Sequence, residues 1–168
     1  MKNQKGFSLI ELLIVVVIIG IIAAIAVPNL LASRRASNEG SAISSLRTIH
    51  GAQMTYASTY GGGNYAGDMS GGNGLPVLAA NNIVDSNLGS GLKSGYVFAT
   101  YSTPRTATEP ASFIVGGTPS NNTGVTATGA RSFLIATDGV IYADDAATGT
   151  MDWTRTAPIT IIGGTQLN

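Results

Sequence analysis

The chain has 168 residues, of which 44% are hydrophobic and only 11% charged, and nine Lys plus Arg balance nine Asp plus Glu. A formal charge of zero argues against a nucleic-acid binder, whose affinity rests on an excess of phosphate-neutralising cations. Zero Cys and a single His, His50, exclude disulfides, thiolate metal sites, cysteine nucleophiles and multi-histidine centres. A mean hydropathy of +0.25 suggests a modestly apolar domain, but the average conceals two regimes. From Phe7 to Ala32 the only ionisable side chain is Glu11, whereas the remainder is crowded with Gly, Ser, Thr and Asn.

The amino terminus is a short polar segment holding Lys2 and Lys5, followed by an apolar run from Phe7 to Val27. A secretory signal would have this layout, with Ala24-Ile25-Ala26 as its cleavage site. A membrane span needs about 20 apolar residues, which Phe7–Ala26 also supplies. Glu11 counts against both, because an acidic residue inside an apolar helix costs on the order of 2.5–3.5 kcal/mol at the centre and less near an end. It therefore needs a partner. Charge flanks orient the run poorly, since Lys2 and Lys5 precede it but Arg34 and Arg35 soon follow.

Lys5-Gly6-Phe7-Ser8-Leu9-Ile10-Glu11-Leu12-Leu13-Ile14-Val15 resembles the cleavage and methylation signature of type IV prepilins and of type II secretion pseudopilins. The resemblance covers roughly residues 5–35. It implies that a prepilin peptidase cuts between Gly6 and Phe7 on the cytoplasmic side and that the new Phe7 amine is methylated. The mature chain would then have 162 residues, with seven Lys plus Arg against nine Asp plus Glu once Lys2 and Lys5 are gone. Glu11 falls at the fifth mature position, where the family keeps an acidic residue, and Pro28 falls where many members carry a helix-bending proline.

Electrostatics gives this pattern a reason of its own. In a polymer packed through apolar helices each Phe7 amine would be a buried cation unless a neighbouring copy offered a carboxylate, and Glu11 is the available one. Two unit charges about 4 Å apart attract by roughly 4 kcal/mol at an effective dielectric near 20, before desolvation. Such a pair sets axial register more than net stability, because a wrong stagger leaves both charges unpaired. Pro28 removes a helical donor and crowds the carbonyl of Ala24, and Gly20 weakens the helix earlier, so the two mark where it can bend. Gly20 and Ala24 also form a small-xxx-small pair that lets helices approach closely.

Beyond Pro28 the helix pattern becomes amphipathic, with Ile43, Leu46, Ile49, Gln53, Tyr56 and Tyr60 on one stripe and Arg34, Arg35, Ser37, Asn38, Glu39, Ser44 and Arg47 largely on other faces. His50 borders the stripe as a packed structural residue. Gly61-Gly62-Gly63 ends the helix, residues 61–74 form a glycine-rich connection, and a short helix begins near Pro76. Strand-like runs follow at Tyr96–Tyr101, Ser112–Val115 and Ser132–Thr137, the last paired with Val140–Ala143 across Asp138-Gly139, a strong hairpin signal. The expected fold is α+β: a long N-terminal helix packed on an antiparallel sheet of three or four strands. This layout resembles the pilin head, and without cysteines the tail from Ala146 must be held by Trp153, Ile159, Ile161 and Ile162. The expected organisation is a leader over 1–6, a hydrophobic membrane and assembly helix over 7–32, and a head over 33–168 that includes the amphipathic half of the helix.

Other motifs carry little. Gly89-Ser90-Gly91-Leu92-Lys93-Ser94 has Leu92 where a phosphate loop needs glycine, and a strand follows it instead of a helix. Asp138, Asp144, Asp145 and Asp152 are hard oxygen ligands without calcium-loop spacing, although the major pseudopilin of type II secretion holds Ca²⁺ in its head. Asn121-Asn122-Thr123 is a glycosylation sequon in a Thr-rich loop. No catalytic residue, cofactor or metal is expected. The resemblance implies a structural fibre subunit that is first a single-pass inner-membrane precursor with a cytoplasmic amino terminus. Its partners would be lipid, the peptidase-methyltransferase, the assembly machinery and other copies of itself. A type IV pilus and a type II pseudopilus both fit; a secreted binding module and a membrane-tethered head that never polymerises are more distant alternatives.

Overall fold

In the computed structural model the described residues are 6–68, 72–144, 153–154, 160–161 and 165–167. The chain forms two compact units, Met1–Arg34 and Arg35–Asn168. Helix α1 (Leu9–Thr59) begins in the first and supplies residues 35–59 to the second. The helical assignment runs through Gly20 and Pro28 without interruption.

The second unit adds two short helices, α2 (Leu75–Ala80) and α3 (Ser86–Gly89), where a single one was expected. Pro76 lies in the first turn of α2, where its missing N–H costs no helical bond. Asp85 caps α3 by accepting from Leu88 N–H at 2.8 Å. That bond, followed by Lys93 at 3.2 Å, holds the Asp85 carboxyl below its ordinary range.

The strands are β1 (Leu92–Lys93), β2 (Tyr96–Thr103), β3 (Ser112–Pro119), β4 (Ser132–Ala136), β5 (Ile141–Asp144), β6 (Trp153–Thr154), β7 (Thr160–Ile161) and β8 (Thr165–Gln166). Six of them make one antiparallel sheet in the order β1-β2-β3-β4-β5-β8, and β6 pairs separately with β7. The four expected strands are β2 to β5, and the two-residue strands β1 and β8 extend them at the edges. Trp153 pairs with Ile161 in register; Ile159 and Ile162, expected to pack the tail, lie outside the described residues.

Turn chemistry explains two hairpins. Between β1 and β2, Ser94 and Gly95 take φ of +50° and +74°, the two left-handed positions of a type I′ turn, with Lys93 opposite Tyr96. The Asp138-Gly139 hairpin joins β4 to β5 in a different register from the expected one: Ile135 pairs with Ile141, Gly139 N–H donates to the Ala136 carbonyl at 3.0 Å, and only Gly139 has positive φ. This is a type I turn over Thr137-Asp138 closed by a left-handed glycine.

Alternation along the strands sends Phe98, Phe113, Val115, Phe133 and Ile135 into one core with Ala42, Leu46, Ile49 and Ala52 of α1. The buried helical line is Glu39, Ala42, Leu46, Ile49 and Gln53, displaced from the expected stripe. Tyr60 is 61% exposed, because α1 ends at Thr59, and Ile43 and Tyr56 are only partly buried. Ala42 brings the helix close to the sheet without contributing much to apolar periodicity.

Polar pins fasten the connections. Gln53, fully buried, donates from Nε2 to the Ala66 carbonyl and to Thr100 Oγ1, both at 2.9 Å, and accepts from Ala66 N–H at 2.8 Å. The connection after α1 is thus clamped at its middle. Asn73 Oδ1 accepts from Thr100 N–H, and Gly74 N–H donates to the Thr100 carbonyl, so this segment covers the β2 edge that β1 leaves open. Glu39, expected on a solvated face, is buried: Oε1 accepts from Ala130 N–H and Oε2 from Arg131 Nε and Nη2, the closest at 2.7 Å. Arg35, one turn earlier, and Asn38, the residue before Glu39, donate to the carbonyls of Gly124, Ala127 and Thr128. Three helix side chains therefore hold the 120–131 loop through its backbone. Tyr96 O–H donates to the Arg131 carbonyl at 2.8 Å, and burial, then the Glu39 carboxylate, push the phenol well above its ordinary range.

Replacing Gln53 with Leu strands the two Ala66 peptide groups in the core and should destabilise the fold by about 2–4 kcal/mol, since each buried unsatisfied group costs about 1–3. Thermal melting of the full chain in mild detergent, followed by near-ultraviolet circular dichroism, measures this. Tyr96 gives a pH-dependent counterpart. Its raised folded pKa makes its contribution complete below the ordinary value of 10.0 and lost progressively as pH rises above it. The melting temperature of the natural chain should fall through that window. Tyr96→Phe should flatten the fall while losing about 1 kcal/mol at neutral pH with its hydrogen bond.

Candidate processing and assembly segment

Gly6, Phe7 and Ser8 lie outside any helix and are exposed, Phe7 to 87%. Leu9 is the first helical residue, which puts Ser8 at the cap position and Glu11 third in the helix. A Ser-x-x-Glu spacing lets the acidic side chain reach back to the cap residue's amide, and Ser8 N–H donates to Glu11 Oε2 at 3.1 Å. The carboxylate thereby satisfies an amide that the helix start would leave without a partner, at the end whose dipole favours negative charge. In the described chain the nitrogen of Phe7 belongs to a peptide bond, so Phe7 itself offers Glu11 no amine.

Sixteen large apolar side chains from Phe7 to Leu30 are exposed, the least of them, Val15, at 49%. Nothing in the described chain covers them. By length and composition this part of α1 can cross a membrane. A Cβ placed on Gly20 would meet no atom within 4 Å, so the small size of this residue serves no packing inside the chain. Pro28 offers no N–H to the Ala24 carbonyl, and one residue later the Asn29 side chain adds a bond to the Ile25 carbonyl at 3.1 Å.

The remaining sequence candidates are placed elsewhere. His50 packs against Phe113 with ring centroids 5.3 Å apart and its Nε2 lies 3.4 Å from the Thr137 carbonyl, in keeping with a structural residue. Leu92 and Lys93 form a strand, and Lys93 pairs with Asp85, so the Gly89–Ser94 stretch is no phosphate cradle. Asp138 Oδ1 accepts from Val140 N–H within its hairpin; Asp145 and Asp152 lie outside the described residues. Asn121 uses both ends of its amide, donating to Thr126 Oγ1 at 2.8 Å and accepting from Thr123 N–H at 3.2 Å. The rings of Tyr56 and Tyr60 lie 6.2 Å apart, and Tyr65 packs on Phe113. Sequence reasoning missed the capping role of Glu11, although Ser8 three residues before it is the signal.

Residues 1–27 match the family model of the prokaryotic N-terminal methylation motif. The chain is 62% identical over 39 residues, 23% of its length, to the type IV wide pilus major component PilA4 of Thermus thermophilus, of which the match covers 30%. It is 46% identical over 56 residues to the type IV major pilin protein PilA of Myxococcus xanthus, covering 33% of this chain and 26% of that protein. It is 36% identical over 56 residues to the type II secretion system core protein G of Klebsiella pneumoniae, covering 33% of this chain and 40% of that protein. The matches thus span between a quarter and two fifths of these relatives. No solved structure matches the chain significantly. The resemblance carried by Lys5–Val15 is borne out: the amino-terminal segment carries the methylation motif and is similar to those of type IV pilins and of a type II secretion core protein.

The open space at Gly20 gives a direct test of whether its smallness serves the lone chain. Gly20→Ala should leave the detergent-solubilised subunit at least as helical as the natural one, with a propensity gain of up to about 1 kcal/mol. Far-ultraviolet circular dichroism of the two subunits checks this; a loss of helix would mean that glycine is required within the chain.

Proposed function

We propose that this protein is the precursor of a structural fibre subunit, with a leader over 1–6, a membrane and assembly helix over 7–32 and a head over 33–168. The prepilin peptidase cuts between Gly6 and Phe7, in the exposed non-helical stretch before the α1 cap, and the new amine of Phe7 is methylated. Before assembly the apolar part of α1 lies in the inner membrane with the amino terminus cytoplasmic; afterwards the same surface packs against other copies. The observation that carries this reading is the uncovered apolar helix interrupted only by Glu11.

Assembly adds a second partner to Glu11. In the lone chain Glu11 accepts from Ser8 N–H; in the fibre it meets the ammonium of a neighbouring Phe7, a charge-assisted contact stronger than a bond to a neutral amide. A misplaced stagger forfeits that gain and leaves a cation buried without a partner, so the pair selects one register. Gly20 and Ala24 allow close approach of helices, and Gly20 and Pro28 are the points at which the helix bends to fit the fibre. The subunit acts by packing and not by catalysis. A type IV pilus is the favoured fibre, since the relatives with 62% and 46% identity are named as pilus components. A type II secretion pseudopilus is the second reading, supported by the match to core protein G.

Amino-terminal sequencing and intact mass on sheared extracellular and membrane fractions test the proposal. The pilus reading requires a methylated Phe7 start and a 162-residue chain in the sheared, sedimentable fraction. Glu11→Ala should be cut at the same bond yet fall by on the order of tenfold or more in that fraction, a loss equivalent to about 1.4 kcal/mol or more. A Phe7 start confined to the membrane fraction selects the pseudopilus, and a Val27 start refutes the proposal.

A further inference from the structure

The second unit carries an apolar knob and an apolar pocket on separate parts of its surface. The knob is Val125, 72% exposed at the tip of the 120–131 loop. This loop is held to α1 by Arg35, whose Nη2 donates to the Gly124 carbonyl at 2.7 Å and whose Nε donates to the Ala127 carbonyl at 3.3 Å. The pocket, about 300 Å³ and open to solvent, is lined by Pro104, Pro110, Phe113 and Ala136, with Glu109 and Asp138 among its polar walls. At the lower end of the volumes that bind small ligands, it has room for one or two side chains.

The charges at the two places are complementary. Arg35 donates to two carbonyls, Asp138 accepts from Val140 N–H, and neither these nor Glu109 forms an ion pair among the described residues. Arg131, near the base of the loop, is already paired with Glu39. Arg105, beside the pocket, has its side chain over Gly63. The knob thus brings an uncompensated cation and the pocket two uncompensated carboxylates.

One chain cannot join its own knob to its own pocket. The knob sits beside Arg35, whereas the pocket floor, Phe113, packs on His50, fifteen residues further along α1. At 1.5 Å per residue that is an axial separation of about 22 Å. A second copy in the same orientation, shifted by that distance along the helix, brings one knob level with the other's pocket. Contacts of this head-to-tail kind do not close on themselves and propagate into a filament.

We propose that Val125 of one copy seats in the Pro104–Pro110–Phe113 pocket of another copy in the fibre, with Arg35 of the first facing Glu109 and Asp138 of the second. The proposal rests on the fibre-subunit reading and adds to it a side-by-side contact between heads, independent of the Phe7–Glu11 pair.

The chain has no cysteine, so introduced thiols can pair only with each other. Fibres sheared from cells making the double variant Val125→Cys, Pro110→Cys are oxidised and run on a non-reducing gel, beside fibres from cells co-expressing the two single variants. The double variant should give a ladder extending beyond dimers, the co-expressed singles dimers only, and each single variant alone only monomers. Intact fibres whose double variant stays monomeric after oxidation overturn the contact. Fibres that contain no Phe7-start chain even from the natural sequence overturn the fibre-subunit reading instead. Val125→Thr, nearly isosteric and exposed in the lone subunit, provides the second measure: its fibres should dissolve at a lower detergent concentration than natural ones, and equal resistance overturns the proposal.

Discussion

The first unit of this molecule is conditioned by apolar helix surface that the described chain leaves uncovered. Sixteen large side chains between Phe7 and Leu30 stand exposed, and full burial of each is worth about 1.5–3 kcal/mol. Covering even half of that surface is worth on the order of 10–20 kcal/mol, far more than the cost of about 2.5–3.5 kcal/mol for one acidic group in an apolar helix. The segment must therefore be covered, by lipid or by like segments, and Glu11 cannot prevent it. What the carboxylate can do is discriminate. Apolar contacts are nearly indifferent to a shift of one turn, whereas an ion pair in a dry environment is not.

The second unit solves a different problem, which is to hold a loop-rich, cysteine-free chain on a single helix. Its answer is a series of helix side chains that bond to loop backbone. Arg35, Asn38 and Glu39 secure residues 124–131, and Gln53 secures Ala66. A backbone pin is indifferent to most of the loop's side chains, although Thr126 and Thr128 still brace the loop through Asn121. The same economy covers the sheet edge, where Asn73 and Gly74 take up the amide and carbonyl of Thr100 that another strand would otherwise seek.

Legibility in the sequence followed the range of the interaction. The long helix and the four central strands rest on local periodicity, and the amino-terminal motif is contiguous, so each could be read from the residues. The Asp138-Gly139 hairpin was visible but its register was not, because the same dipeptide serves a two-residue turn or a type I turn closed by left-handed glycine. Ser94-Gly95 passed unnoticed as a turn since only two residues of β1 precede it. Glu39 and Gln53 are the instructive cases. A charged residue on a helix defaults to solvent, and Glu39 is buried only because Arg131 and the Ala130 amide, more than ninety residues away, meet it. Gln53 was placed on the correct stripe, but its role needed the position of Ala66.

Ser8 and Glu11 show how one short motif serves two environments. In an apolar medium a helix start exposes amides that no solvent can satisfy, and a carboxylate three residues in is the natural acceptor. The bond at 3.1 Å between Ser8 N–H and Glu11 Oε2 meets that need while the subunit is alone. With the proposed cleavage Phe7 would carry an amine, and a neighbour at the right height would then offer a stronger donor. The carboxylate has two oxygens, so it can keep the Ser8 amide on one and receive the ammonium on the other. Under the proposed function, membrane storage and fibre register would then make compatible demands on Glu11, and a helix that left lipid for protein need not pass through a state in which its acidic group has no partner.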